Sequence, residues 1–289
     1  MVRRQVAFTE DLDQRLLRLA QEEREDRWLL LQTAYTGSTR RQALYQLPAG
    51  ARSRIADIGC GFGAAALEMA EHFQAEVEGF DQDRSRLEVA RRLSTTFPEI
   101  GDRVRFTEKD VTRFLPDHPF DLVTARFVLQ YLPALATLVH WRGWVKPGGS
   151  LYLEEVDDGW TVEYPGPPRA WQRIIDAYKA YTHDHGSDRE IGRKLPHLLV
   201  QAGYHLTRVL WNSKSSLAIE QPSDLQVGFE REKILSLQRA LVREGYVSGQ
   251  EFQAGLTAFD GAYPKMTFLT GATIQIWATL PAESPSGIP

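Results

Sequence analysis

"IADIGCGFGAAALEMA", Ile55 to Ala70, runs from an apolar stretch through a glycine-rich turn into a run with helical spacing. Strand, glycine turn and helix in that order make a nucleotide-binding unit, because glycines let the backbone close on a ligand at a helix N-terminus. Gly59, Gly61 and Ala64 fit the G-x-G-x-x-A pattern of dinucleotide enzymes, with an acid downstream at Asp81. Asp57 speaks against that reading. A carboxylate two positions before Gly59 faces the crevice and repels a pyrophosphate. It suits a ligand that has an ammonium group and no phosphate.

Outward from the turn, strands and helices alternate. "SRIADIG", "AEVEGFD", "DRVRFTEKD", "FDLVTARFV" and "SLYLEEVD" read as strands, and "AAALEMAEHF", "DRSRLEVARRLSTTF" and "LATLVHWRGWV" as helices. In "KPGG", Pro147 and Gly148 are the residues a type II turn needs at its centre. Such alternation predicts a parallel sheet covered on both faces. Upstream, Thr9 to Leu31 reads as one amphipathic helix, with a break at Gly37. Downstream, "GWTVEYPGPPRAWQ" reads as a loop. Four helical patterns, a sixth strand in "YHLTRVLWNSKSSLAI" and a closing strand "ATIQIWATL" follow, ahead of a tail "PAESPSGIP" expected to fray.

Taken together, these pieces resemble the class I S-adenosylmethionine-dependent methyltransferases. "ADIGCGFG" is similar to their first motif, an acid followed by G-x-G-x-G. Asp81 ends the second strand where the family places the acid that binds both ribose hydroxyls. Asp110 of "EKDV" matches the acid near the adenine amino group, and Val111 would offer its backbone N–H to the ring. "FDLVTARFVLQYLP" resembles the fourth strand, whose end lies against the methionine part, and "WVKPGGSLYLEEV" the turn into the fifth. The resemblance spans Ser53 to Val156. It implies a cofactor site of Asp57, Gly59, Cys60, Gly61, Asp81, Gln82, Asp110, Val111, Ala125 and Arg126. The implied fold is α/β and Rossmann-like: a seven-stranded sheet, mostly parallel with an antiparallel last strand, helices on both faces, and a helical cap. Three parts are expected: an N-terminal helical lid over 1–50, the S-adenosylmethionine-binding core over 51–158, and the rest of the sheet with cap insertions over 159–289.

The implied activity is transfer of a methyl group to an O, N or C atom of a small-molecule acceptor by in-line displacement, leaving S-adenosylhomocysteine. Two alternatives stay open. One is a protein of this fold that binds S-adenosylmethionine or S-adenosylhomocysteine without methylating. The other is a nicotinamide-dependent oxidoreductase, which Asp57 and Asp110 disfavour.

Each residue also has a plainer reading. Asp57 could cap the following helix, Asp81 could serve a turn, and Asp110 could start a helix. Arg126 could form a surface ion pair. Gln130 stands where many relatives carry His, which leaves a proton-transfer role there in doubt. "YTHDHGSD" offers His183, Asp184, His185 and Asp188, but an i, i+2 pair on a helix does not share a face, so no metal site is expected. His183 or His185 is a candidate general base. Trp160, Tyr164, Trp171, Tyr178, Tyr181, Phe229, Tyr246, Phe252, Phe259, Tyr263 and Phe268 could line a pocket for an apolar or aromatic acceptor, or build core.

Composition narrows the classes further. A net charge of −4 leaves no basic footprint for nucleic acid. "ARFV" also occupies the place of the Asn-Pro-Pro-Tyr motif of amino-methylating nucleic-acid enzymes. Cys60 is the one cysteine, so no intrachain disulfide is possible, which fits a reducing cytoplasm. No His or basic residue flanks it to make a reactive thiol. The N-terminus lacks a secretory signal, and every apolar run falls short of the ~20 residues that cross a bilayer. A cytoplasmic protein with no membrane partner is expected, of undetermined oligomeric state. Deleting the first 31 residues is expected to impair turnover more than folding.

Overall fold

The computed structural model describes residues 2–23, 25–217, 224–262 and 268–282. Its sheet is organised around β1 (Arg54–Ile58), whose Ile55 packs to one side and whose Ala56 and Ile58 pack to the other. A strand buried on both faces belongs at the centre of a parallel sheet. β1 pairs in parallel with β2 (Glu76–Asp81) and with β4 (Phe120–Arg126). β3 (Val104–Glu108) lies outside β2, and β5 (Val145–Val156) lies outside β4. β8 (Phe268–Thr279) runs antiparallel to β5, and β7 (His205–Leu217) runs antiparallel to β8. The expected seven strands are thus present, the closing one reversed.

An eighth strand was not anticipated. β6 (Val162–Tyr164) lies inside the stretch read as a loop and pairs with the first residues of β8. Three residues are too few for an alternation to show, and their pairing partner lies far along the chain.

The chain leaves β1 towards β2 and β3 on one side, then returns to β4 and β5 on the other. The carboxyl ends of β1 and β4 therefore flank the switch point where open parallel sheets bind ligands. α4 (Ala64–Phe73), α5 (Arg84–Thr95) and α6 (Pro98–Gly101) cover one face; α7 (Ala134–Trp141) and α9 (Ile191–Gln201) cover the other. α8 (Arg169–Asp184), α10 (Asp224–Arg243) and α11 (Gly249–Ala262) build a separate core of Trp171, Ile174, Ile234, Phe252 and Phe259. This cap has its own apolar centre.

The N-terminal reading needs two corrections. The single helix over Thr9 to Leu31 is two, α1 (Val2–Glu22) and α2 (Arg27–Tyr35). The break falls where Glu23 meets Arg92 at 2.6 Å and Asp26 meets Arg86 at 3.0 Å, so two α5 arginines hold the turn. Gly37 does not end helical structure either; it opens α3 (Gly37–Leu44). Leu12, Leu16 and Leu30 are fully buried in the same cluster as Ile55 and Leu67. Arg40 of α3 grips Glu68 of α4 through two bonds of 2.6 and 2.8 Å, both side chains buried. Buried residues of α1, α2 and α3 thus share one apolar cluster with β1 and α4.

Candidate functional site

The glycine turn takes its shape from positive φ. Gly59, Gly61 and Gly63 sit at φ +66°, +52° and +77°, a region side chains avoid. A Cβ on Gly59 would fall 2.3 Å from Val128 Cγ2, so the turn and the loop after β4 press together with no room for one. The turn is also held from β2. Asp81 accepts from the backbone N–H of Gly61 at 2.9 Å through one oxygen and from that of Asp83 at 2.9 Å through the other. Each carboxylate oxygen keeps a second lone pair for a ligand.

Asp57, next to last in β1, is buried at 3% exposure. Its Oδ1 accepts from the Thr124 hydroxyl at 2.9 Å, while its Oδ2 has no partner among the described residues. It caps no helix: Gly63 occupies the N-cap of α4. Burial, offset in part by Thr124 and Arg126, pushes its carboxyl up to about 6. Arg126, ending β4, donates to Glu154 at 2.6 Å and leaves Nη2 unpartnered among the described residues. It is a buried pair rather than a surface one.

Both side chains line one cavity of about 980 Å³, together with Gly59, Cys60, Gly61, Asp81, Gln82, Asp110 and Val111. That volume lies near the top of the range for small-molecule sites, ~300–1,000 Å³. Ala125 does not line it; its side chain sits in the core with Ile58 and Leu153. Asp110 reaches the cavity but spends one oxygen on its own turn, accepting from the Thr112 hydroxyl at 2.6 Å and N–H at 2.9 Å. Those bonds hold its carboxyl below the usual range. Burial pushes the Cys60 thiol up, which makes it a poor nucleophile.

The loop after β4 is pinned by a group the sequence reading missed. Glu155 is buried, and its Oε1 accepts from the N–H groups of Val128 at 2.5 Å and Leu129 at 2.6 Å. Burial, against those two bonds, pushes its carboxyl up to about 7. Phe127 turns at φ +60°, a strained value for a bulky residue, and its ring lies beneath Arg126. Gln130 fills its special place by bridging. It donates to Glu155 at 3.3 Å and accepts from Arg189 at 2.6 Å, and Arg189 clamps Asp158 through two 2.9 Å bonds.

The other walls come from α2 and from the cap. Trp28 and Tyr35 of α2, Trp171 and Tyr178 of α8, and Phe229 and Lys233 of α10 all line the cavity. Lys233 lies over the rings of Tyr178 and Phe229, 5.5 and 5.1 Å from their centres, and pairs with Glu230 at 2.6 Å. Tyr181 lines the cavity too, whereas Phe252 and Phe259 are cap core and Trp160 and Tyr164 are exposed. Tyr246 donates to Asp184 at 2.7 Å. Tyr263, the Phe268 side chain and the tail from 283 lie outside the described residues. His183 is exposed and does not line the cavity. His185 lies at the rim, its ring on Tyr181 and 3.3 Å from Glu244. Among the described residues no three His, Cys, Asp or Glu side chains converge as metal ligands, and no helix is long and apolar enough to cross a membrane.

This geometry has counterparts in known proteins. Residues 55–149 match the family model described as a methyltransferase domain. Trans-aconitate 2-methyltransferase of Enterobacter sp. strain 638 is 35% identical over 155 residues, 49% of this chain and 59% of that protein. Among solved structures, geranyl diphosphate C-methyltransferase from Streptomyces coelicolor A3(2) aligns at a TM-score of 0.52 and 13% identity, over 88% of this chain and 85% of that one. The cyclase SpnF aligns at 0.54 and 18%, over 86% and 84%. The chain spans between 28% and 59% of the length of the curated relatives it matches. Residues 55–149 are thus similar to a methyltransferase domain, and the chain shares the fold of these solved structures.

Proposed function

We propose that the protein binds S-adenosylmethionine and transfers its methyl group to a small-molecule acceptor held under the cap. The observation that carries this reading is the pair of unpartnered atoms at the sheet's switch point, Asp57 Oδ2 and Arg126 Nη2. In one cavity, a buried carboxylate oxygen lacks a hydrogen-bond donor and a buried guanidinium nitrogen lacks an acceptor. The methionine end of the donor supplies both, as its ammonium and its carboxylate. Asp81, with lone pairs to spare, suits vicinal ribose hydroxyls. The Streptomyces enzyme was crystallised in complex with S-adenosylhomocysteine, which supports the same donor.

The sulfonium methyl is already activated when the donor is bound. The chain's task is then to line up an acceptor lone pair with the S–CH3 bond and to exclude water. α2, α8 and α10 line the same cavity as the glycine turn, which suits both roles. His183 is exposed away from the cavity and His185 lies only at its rim beside Glu244, so an acceptor that loses no proton before attack is favoured. The acceptors named by relatives differ, being trans-aconitate, a malonyl carrier protein and phosphoethanolamine, so none is transferred here. The aromatic walls favour an acceptor with apolar or ring surface.

The cyclase SpnF, similar in fold, favours a second reading: donor binding without methyl transfer. Calorimetric titration with S-adenosylmethionine, S-adenosylhomocysteine and NADH tests the donor site. Micromolar binding of the first two alone is expected, and binding of NADH alone would refute it. Mass spectrometry of an acceptor library then separates methylation from mere binding.

A further inference from the structure

The cavity's buried cations are already neutralised. Arg40, Arg126, Arg189 and Lys233 line it with side chains at most 17% exposed. Each has a carboxylate at hand: Glu68 at 2.6 Å, Glu154 at 2.6 Å, Asp158 at 2.9 Å and Glu230 at 2.6 Å. Lys179 also lines the cavity, but it is exposed and keeps its water. Two lining carboxylates, in contrast, each have a solvent-shielded oxygen with no partner among the described residues, Asp57 Oδ2 and Glu163 Oε2.

Asp57 is accounted for by the donor, and Arg126 Nη2 with it. Glu163 is not. It stands on β6, the short strand that follows β5, and lines the same cavity as Trp171 and Tyr178 of α8. Burial raises its carboxyl, Glu230 of α10 pushes the same way, and Lys179 opposes them. A ligand without a hydrogen-bond donor would leave Glu163 Oε2 buried and unsatisfied. A carboxylate ligand would add like charge as well. A basic nitrogen supplies both the proton and the charge, and the aromatic residues that line the cavity suit a cation.

We infer that the acceptor carries a basic nitrogen and that Glu163 is the residue that binds it. This rests on the methyltransferase reading of the cavity and adds the chemical class of its second ligand. It makes Glu163 a specificity residue, on a strand with no part in the donor turn.

Two probes of matched skeleton test it: 2-phenylethylamine and 3-phenylpropanoate. Each is titrated calorimetrically into the full chain, with and without saturating S-adenosylhomocysteine. The amine should bind about tenfold or more tighter than the acid, the scale of one charge-assisted hydrogen bond. Glu163→Gln should remove most of that preference and leave S-adenosylhomocysteine affinity unchanged, which also shows that the variant is folded. Glu163→Asp should restore part of it. Tighter or equal binding of the acid, binding of neither probe, or a preference that survives Glu163→Gln would overturn the inference. Failure of S-adenosylhomocysteine to bind the wild type strikes the donor reading instead, and the amine preference is read without it.

Discussion

The two ends of this cavity are built by different means. At the donor end, Asp57, Gly59 and Gly61 stand within one turn of chain, and Asp81 and Arg126 end neighbouring strands. Strand, glycine and acid recur at short spacing, so local chemistry announces the site. The lining residues proposed to face the acceptor, Trp28, Glu163, Tyr178 and Lys233, come from α2, β6, α8 and α10. None of these four stands in a motif, and only packing brings them together. The proposed donor site is written along the chain, and the proposed acceptor site across it.

The largest expected effect breaks this contrast from the side of the N-terminal helices. Arg40 and Glu68 are buried at 1% and 0% exposure and are bonded twice. Arg40→Ala leaves Glu68 to Arg41 alone, at 3.1 Å. A loss of about 3–5 kcal/mol in unfolding free energy is expected, as for removal of one partner of a buried pair. Urea unfolding measures it. A loss below about 1 kcal/mol would mean that the N-terminal helices are an appendage after all.

Gly59→Ala is the next test and acts at the donor end. The new methyl would stand 2.3 Å from Val128 Cγ2 at a φ of +66°. Left-handed strain costs ~1–2 kcal/mol, and the displaced loop adds to it. Donor affinity should fall by about 2–3 kcal/mol in total, read by calorimetry. Asp81→Ala follows. It removes both the ribose partner and the Gly61 tether, and about 1.5–3 kcal/mol of donor affinity should go with it. Unchanged affinity would remove the ribose assignment.

The same contrast explains what was legible in the sequence. The strand order could be read because β1 to β5 alternate with helices at regular spacing. β6 could not, because its three residues exist as a strand only beside β8. Asp57, Gly59 and Asp81 could be picked out because backbone geometry forces those residue types at those offsets. Glu155 looked like any strand acid; its two loop N–H partners lie 27 and 26 residues upstream. Ala125 was carried in by its neighbour Arg126, but side chains alternate across a strand, and its own points into the core. His183 belonged to a suggestive string of polar residues, which the end of α8 turns to solvent.

The smallest effect sharpens the donor end by pH. Asp57 titrates at about 6 in the folded chain against an ordinary 3.8, because burial outweighs its one hydroxyl bond. The folded state therefore holds this proton more tightly than the unfolded one. Its contribution to stability is fully present below about 3.8 and is lost as pH rises through about 6. Donor binding works the other way, since an ammonium needs the ionised carboxylate. Affinity should be level above pH 7 and fall about tenfold at pH 5, or roughly 1.4 kcal/mol. Calorimetry near pH 6 in buffers of different ionisation enthalpy should register a proton released on binding. Asp57→Asn should bind the donor more weakly at pH 7, yet with no step near 6. A step that survives in Asp57→Asn would assign the proton elsewhere. Glu155, at about 7 and one loop away, would then be the next carboxyl to replace.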